Sequence, residues 1–235
     1  MEKLVETKYL TEEITANISG FGKVWENSTK NIPGPKDNLK RNHLIAISVY
    51  TGVIVYSKFN QDVRTGKQKY KDKTYKWYSL HFWLTQAIQT LKKTEKGCKS
   101  TYRGTNVTFD GVNNTEIRFG SFASSSLDRK ATIAYGTESC FEIETCHGAD
   151  VSKYSQFPNQ KEVLIPPYET FNITDIRIGQ KGDWCKTVFV LESSGIRSDL
   201  NCAVASADSQ IYHRSLSLWL TSFYIFVHFS FLYKI

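Results

Sequence analysis

The 235-residue chain contains no GxGxxG, no GxxxxGKS or GxxxxGKT, no HExxH and no GxSxG. Those absences remove the usual supports for a dinucleotide-binding βαβ unit, a phosphate-cradling P-loop, a zinc peptidase helix and a serine hydrolase elbow. Five cysteines are present, Cys98, Cys140, Cys146, Cys185 and Cys202, but there is no CxxC pair and no Cys/His spacing of the metal type. Disulfides are therefore favoured over zinc, and no metal is expected. In an exported protein the odd count leaves one sulfur without an intramolecular partner. Repeats, low-complexity tracts and a convincing domain linker are also missing, so the expectation is one principal domain with a well-buried core.

Two further absences bear on compartment. The first residues, MEKLVETKYLTEEITANIS, lack the basic start, apolar stretch and small-residue cleavage site of an export leader. Yet Asn-x-Ser/Thr acceptor triplets occur at Asn17, Asn27, Asn106, Asn113 and Asn172, which together with the cysteines favour a secreted or surface protein. Either the leading segment is missing from this sequence or the protein is cytosolic with idle triplets; the first reading is preferred. Between Leu216 and Tyr233 the chain has no Asp, Glu, Lys or Arg. Small residues Ala203, Ala205, Ser206 and Ala207 and the spacer DSQIYHRS precede this apolar tail, the layout of a signal for a glycosylphosphatidylinositol anchor. A single membrane span and a buried helix are the competing readings.

What is abundant is positive charge. The net charge is +7, and Lys67, Lys69, Lys71, Lys73 and Lys76 are interleaved with Tyr70 and Tyr75. A nucleic-acid surface would use such residues, but a solvated loop or strand edge is the commoner fate, and no nucleic-acid partner is expected.

Hydrophobic spacing then orders the chain. SLHFWLTQAIQTLKK reads as a helix, with Leu80, Leu84, Ala87, Ile88 and Leu91 at helical intervals, and with His81 and Gln86 expected on its surface. NHLIAISVYTGVIVY reads as a helix then a strand, or as two strands, broken at Thr51-Gly52; NIPGPKD is a loop. From about residue 100 short β-type runs follow: STYRG, EIRFGSF, CFEIETC, EVLIPPY and KTVFVLES. Helices first and strands later is the pattern of an α+β domain.

The residues that could carry chemistry sit at strand starts and turns. Arg103 in TYRG offers a fork for phosphate beside a closely approachable Gly104 backbone, and Ser124 in FGSFASSS can orient a carboxylate. In QKEVLIP, alternation on a strand would project Gln160 and Glu162 to one side and Lys161 to the other. A carboxylate such as Glu162 suits the positive charge that develops at a sugar carbon during glycosidic cleavage. Taken singly, Arg103 also suits a structural ion pair, Ser124 a turn and Glu162 an exposed strand end.

In combination these residues become recognisable. Cys98, YRG at 102–104, FGSFASSS at 119–126, TCHG at 145–148 and QKEVLIPPYETF at 160–171 occur in order, with AISVYT, KFNQDVR, SLHFWLTQAI and a closing LNCA. The set closely resembles the vertebrate ecto-mono-ADP-ribosyltransferases of the Arg-Ser-Glu class. That resemblance implies a domain over residues 21–205 in which N-terminal helices pack on a mostly antiparallel two-sheet β core. It leaves residues 1–20 as an atypical leading segment and 206–235 as spacer and anchor signal.

The same resemblance implies NAD, and NADP as an open alternative, as substrate rather than resident cofactor. Arg103 would hold the phosphates and shape the pocket, Gly104 would meet the nicotinamide carboxamide, and Ser124 would orient the ribose and the catalytic carboxylate of Glu162. It implies a Cys98–Cys146 bridge, a partner for Cys202 near the mature N-terminus, and an acceptor-facing aromatic loop with Tyr154 and Phe157; Cys140 and Cys185 could pair with each other. Arginine-specific members carry Glu-x-Glu where this sequence has Gln160. Glutamine lacks the charge to pair with guanidinium and is no base near neutral pH, which favours transfer of ADP-ribose to water, an NAD glycohydrolase activity, over transfer to protein arginine. A catalytically silent surface recognition protein on the same fold is the alternative.

Overall fold

The structure, a computed structural model, describes residues 1–32 and 34–198. Cys202, the LNCA segment and the apolar tail lie outside the described residues. Among the described residues no helix is long and apolar enough to cross a membrane.

The N-terminal half is helical. Helix α1 (Glu2–Leu4) passes through a wider turn, Val5–Tyr9, into α2 (Leu10–Ala16), and α3 (Phe21–Asn31) follows a short 3-10 turn. Then come α4 (Arg41–Thr51), α5 (Tyr56–Thr65), α6 (Lys67–Lys71) and α7 (Tyr78–Lys92). One core gathers Val5 and Leu10 with Phe21, Trp25, Ile47, Phe59, Trp77, Trp83 and Leu84, so the first residues share the core of the rest. Each such large apolar side chain contributes about 2–3 kcal/mol by leaving water.

Helix α7 stands as expected over SLHFWLTQAIQTLK. Its start is capped from a distance: the buried Glu13 carboxylate accepts from the Ser79 amide at 3.0 Å and from the Ser79 hydroxyl, satisfying donors that a first helical turn leaves open. Burial pushes the Glu13 pKa up to about 7, with the Ser79 hydrogen bonds opposing the rise.

Three expectations for this half are corrected. NHLIAISVYTGVIVY forms no strand: it is α4, an extended Gly52, the exposed Val53 and Ile54, and the start of α5. Apolar residues surround α4 because it packs against both α3 and α7, which erases the one-sided stripe that marks a helix. His81 is not a surface residue. Its ring meets Phe122 edge-on at 5.4 Å, its Nδ1 is buried without a partner, and burial pushes its pKa down to about 4. The lysine run begins as the short helix α6 rather than as a loop or strand edge; Tyr75 between its lysines is buried and Tyr70 packs beside it.

The second half is β1 (Lys99–Thr105), β2 (Glu116–Ile117), β3 (Ala123–Ser126), a short helix α8 (Arg129–Thr132), β4 (Ser139–Thr145), β5 (Ala149–Asp150), β6 (Glu162–Ile165), β7 (Glu169–Ile178) and β8 (Thr187–Ile196). The strands follow the order β2-β7-β8-β4-β1-β3-β6-β5, antiparallel except for the β4–β8 pair. Helices before a mostly antiparallel sheet make the domain α+β.

The expected two sheets appear as two halves of one hydrogen-bonded order, joined between β1 and β3 through a single pair, Tyr102 with Ser126. Phe141, Ile143, Phe171, Ile173, Phe189 and Leu191 of the five-stranded half meet Ala123 and Ile165 of the three-stranded half in a second core. The helices cover the three-stranded half through Phe122, Ala149, Val151 and Leu164.

Strand β7 is absent from the sequence-based expectation, and EVLIPPY stops being a strand at Ile165, where Pro166 and Pro167 cannot donate to a ladder. Bridges join Cys98 to Cys146 and Cys140 to Cys185, closing spans of 48 and 45 residues. Beside the first, the buried Glu169 carboxylate accepts from Thr145 Oγ1 at 2.6 Å, from the amides of Cys146 and His147 at 2.7 and 3.0 Å, and from Ser193 Oγ at 2.8 Å.

Glu13 gives this half-helical architecture a pH signature. Its folded-state pKa lies above the unfolded value, so its stabilising proton is fully bound below the unfolded pKa and is lost as pH rises through about 7. Glu13→Gln keeps an acceptor for Ser79 and has no proton to lose. The melting temperature of Glu13→Gln relative to wild type is expected to rise between about pH 5 and pH 8; a constant difference in thermal scans across that range would rule out titration of Glu13 in this window.

Candidate active site

A cleft of about 360 Å³ opens between the helical layer and the seam of the sheet. Arg103, Gly104, Ser124, Gln160 and Glu162 all line it, although they come from β1, β3 and the approach to β6.

Each is positioned by its own local constraint. Arg103 on β1 donates through Nη1 to the carbonyl oxygen of Ser124 at 2.6 Å, so part of its guanidinium is committed to fixing β3. Burial holds its pKa below the usual arginine range, and the neighbouring Arg64 adds to the lowering. Gly104 sits where a side chain has no room: a Cβ would lie 2.5 Å from the Gly136 carbonyl oxygen and 2.6 Å from that of Thr132. The turn that follows α8 therefore packs straight onto the β1 backbone.

Ser124 and Glu162 meet by strand register. Ser126 pairs with Glu162 and Ser124 with Leu164, which makes Ser124 and Glu162 diagonal neighbours on one face. The Ser124 hydroxyl is near enough to the Glu162 carboxylate to favour its charged form. Ser155 donates from Oγ to Glu162 Oε2 at 3.3 Å. Glu162 is 5% exposed, so it is no solvated strand end. Desolvation raises its pKa, while Ser124, Ser155 and the charge of Arg103 pull the other way.

The strand argument for Gln160 and Glu162 fails even though both reach the cleft. Residues Pro158–Gln160 form a 3-10 turn, Lys161 takes a left-handed conformation with φ of 47°, and β6 begins only at Glu162. Two bonds hold the turn: Ser126 Oγ donates to the Gln160 carbonyl at 2.6 Å, and the Leu127 amide donates to the Lys161 carbonyl at 3.1 Å. Gln160 and Glu162 thus converge through a turn and a strand start, not through alternation.

Of the two aromatic residues expected near the acceptor, Phe157 lines the cleft. Tyr154 faces away, its hydroxyl bonded to Asp37 and its ring under the Lys36 ammonium at 5.3 Å.

Several lining residues had no mark in the sequence. Tyr50 closes α4 and lies 5.9 Å from the Phe122 ring; its hydroxyl donates to the Phe122 carbonyl at 3.1 Å and accepts from Asn60 Nδ2 at 3.0 Å. Tyr56 and Tyr135 line the opening along with Gln160. AISVYT was singled out as a segment, but nothing in it distinguished Tyr50. Among the lining residues Arg103 and Glu162 are the charged ones, so no second carboxylate stands beside Glu162.

Comparisons with known proteins agree with this geometry. A family model described as NAD:arginine ADP-ribosyltransferase matches residues 3–194. Ecto-ADP-ribosyltransferase 4 of Homo sapiens is 36% identical over 226 residues, covering 89% of this chain and 68% of that protein. NAD(P)(+)--arginine ADP-ribosyltransferase 1 of Gallus gallus is 30% identical over 181 residues, covering 76% of this chain and 57% of its own length. The crystal structure of the eucaryotic mono-ADP-ribosyltransferase ART2.2 superposes with a TM-score of 0.70 at 28% identity, over 86% of this chain and 89% of that one. A mutant of that protein solved in complex with NADH superposes with a TM-score of 0.65 at 27% identity, over 85% and 87%.

The close approach at Gly104 is directly testable. Gly104→Ala should force β1 away from the 132–136 turn and cost about 1–3 kcal/mol, as overpacking against backbone does. Urea unfolding of the variant checks this, and a cost under about 0.5 kcal/mol would mean the turn yields freely.

Proposed function

The chain belongs to the NAD:arginine ADP-ribosyltransferase family, and from that premise we propose that it cleaves the nicotinamide–ribose bond of NAD and passes ADP-ribose to water more readily than to arginine. One observation carries this reading: a buried carboxylate, Glu162, bonded by the Ser155 hydroxyl and flanked by Ser124 in a cleft whose other acceptor-side groups are neutral.

The cleft suits such a substrate. Tyr50, Tyr56, Phe122 and Phe157 supply flat apolar walls, and Gly104 brings bare backbone to the lining. Arg103 supplies the single fixed positive charge for a phosphate, with one N–H already anchoring β3.

Glu162 performs the central task. As the nicotinamide–ribose bond lengthens, positive charge gathers at the ribose carbon, and a carboxylate fixed in a poorly solvated site stabilises it without reorganising. Ser124 and Ser155 favour the ionised form of that carboxylate, offsetting part of the cost of its burial.

Gln160 governs what attacks next. At the cleft it presents an amide, which neither pairs bidentately with guanidinium nor takes a proton from it. Water needs neither service. The paired disulfides among the described residues, and a relative named an ecto-enzyme, support a site facing the oxidising cell exterior; the apolar C-terminal segment would serve as the lipid-anchor signal.

Two measurements test the reading. Nicotinamide release from NAD by the expressed protein should fall by about 10²- to 10³-fold in Glu162→Gln, and undiminished release would remove Glu162 from the chemistry. Gln160→Glu should raise labelling of an arginine-containing acceptor relative to hydrolysis; an unchanged ratio would show that this position does not choose the acceptor.

A further inference from the structure

The loop between β5 and β6 is tied both to its own end and to the helical layer. The Val151 amide donates to the Glu162 carbonyl at 2.9 Å, and the Ser155 amide donates to the Val151 carbonyl at 2.9 Å, so the loop folds back over the start of β6. Gln156 then crosses to the last turn of α4. Its amide donates to Thr51 Oγ1 at 3.1 Å, and its side-chain Nε2 donates to the Ser48 carbonyl at 2.8 Å.

The end of α4 needs such donors. A helix leaves its last four carbonyl groups without backbone partners of its own, and Ser48 belongs to that final turn, which closes at Thr51 before an extended Gly52. Gln156 supplies one missing donor from a segment more than a hundred residues away. The seat is close-fitting: a Cβ on Gly52 would stand 2.9 Å from Gln156 Nε2, so the glycine leaves the space that the carboxamide fills.

The residue held by this anchor is Ser155. Its hydroxyl accepts from the Phe157 amide at 3.1 Å and donates to Glu162 Oε2 at 3.3 Å. A backbone N–H only donates and a hydroxyl has one proton, so the Phe157 bond leaves the Ser155 proton for the carboxylate. Ser155 is buried beside Glu162, whereas Gln156 is exposed against α4. The adjacent residues therefore join the carboxylate to the helix end through two bonds of backbone.

We propose that Gln156 is a positioning residue for this site: by anchoring the loop on the last turn of α4, it keeps the Ser155 hydroxyl on the Glu162 carboxylate. The proposal rests on the reading of Glu162 as the reactive carboxylate. The Ser155 bond is already long for a hydroxyl donor, so a small movement of the loop breaks it. Misplacement by about 1 Å, caused from outside the reacting groups, can cost up to about 10²-fold in rate. The Tyr154 hydroxyl ties the outer side of the same loop to Asp37, so removing the Gln156 side chain frees one anchor and leaves another.

The test compares nicotinamide release by wild type, Gln156→Ala, Gln156→Glu, Ser155→Ala and the double variant of Gln156→Ala with Ser155→Ala. Gln156→Ala and Ser155→Ala should each lower kcat about tenfold with KM for NAD nearly unchanged, and the double variant should be no slower than Ser155→Ala. Losses that multiply in the double variant would show that the two residues act independently and would overturn the proposal. Gln156→Glu keeps the size but has no Nε2 donor for the Ser48 carbonyl, so it should match Gln156→Ala; a wild-type kcat there would be equally fatal.

A second readout needs no turnover. In glutamate-labelled protein the carboxyl carbon-13 resonance of Glu162 should move in Gln156→Ala in the same direction as in Ser155→Ala, and no further in the double variant. An unmoved resonance in Gln156→Ala would sink the anchor. Should that variant fail to fold, Gly52→Ala displaces the carboxamide while keeping Gln156, and the same movement is required of it. A wild type that releases no nicotinamide would refute the catalytic reading of Glu162, and the resonance would still decide whether Gln156 positions Ser155.

Discussion

The bond from the Arg103 guanidinium to the Ser124 carbonyl oxygen, 2.6 Å long, is the constraint on which the cleft depends. The two halves of the sheet share a single register pair at their junction, Tyr102 with Ser126, so the β1–β3 seam is thinly bonded by backbone alone. A charge-assisted hydrogen bond from β1 to β3 reinforces that seam beside the weak point. Its location also explains why the candidate site residues gather there. A seam with few ladder bonds leaves room between the halves, and the side chains of β1, β3 and the start of β6 open into it.

A second consequence concerns charge. Glu162 is buried and Arg103 partly so, and burial disfavours the charged form of each. Their mutual attraction, with the hydroxyls of Ser124 and Ser155, offsets part of that cost. The carboxylate is left in a poorly solvated environment, where its field on a developing positive charge is strong. The helical layer makes this possible: Tyr50 at the end of α4 and Phe122 on the strand side close the back of the cleft and keep water from that side.

The sequence was most readable where a residue's neighbours in space are also its neighbours in the chain. Helix α7 showed in the spacing of Leu80, Leu84, Ile88 and Leu91 because one face is buried throughout. Strands β1, β4 and β8 showed as short β-type runs between turn residues. Helix α4 was ambiguous because it is enclosed on more than one side, and β7 went unnoticed although ETFNITDIRI is ten residues long. Its pattern is broken by two irregularities in its pairing with β8, which shift the alternation of buried positions. Gln160 and Glu162 both line the cleft, but not through strand alternation, since a left-handed Lys161 separates a turn from a strand.

By itself the sequence determined the residue types that the chemistry needs: an arginine before glycine, a serine run, a glutamate before a Val-Leu-Ile strand, and glutamine two positions earlier. It also determined the α+β succession and the cysteines available for bridging. Only the tertiary structure decided that Glu162 is buried rather than exposed, that His81 is enclosed, and that Tyr50, Asn60 and Tyr135 belong to the cleft at all. The reason is physical. Burial and hydrogen-bond partnership are properties of what surrounds a side chain, and here much of those surroundings comes from distant segments, as with Tyr50 and Phe122, 72 residues apart, brought together by strand pairing and core packing that no local pattern encodes.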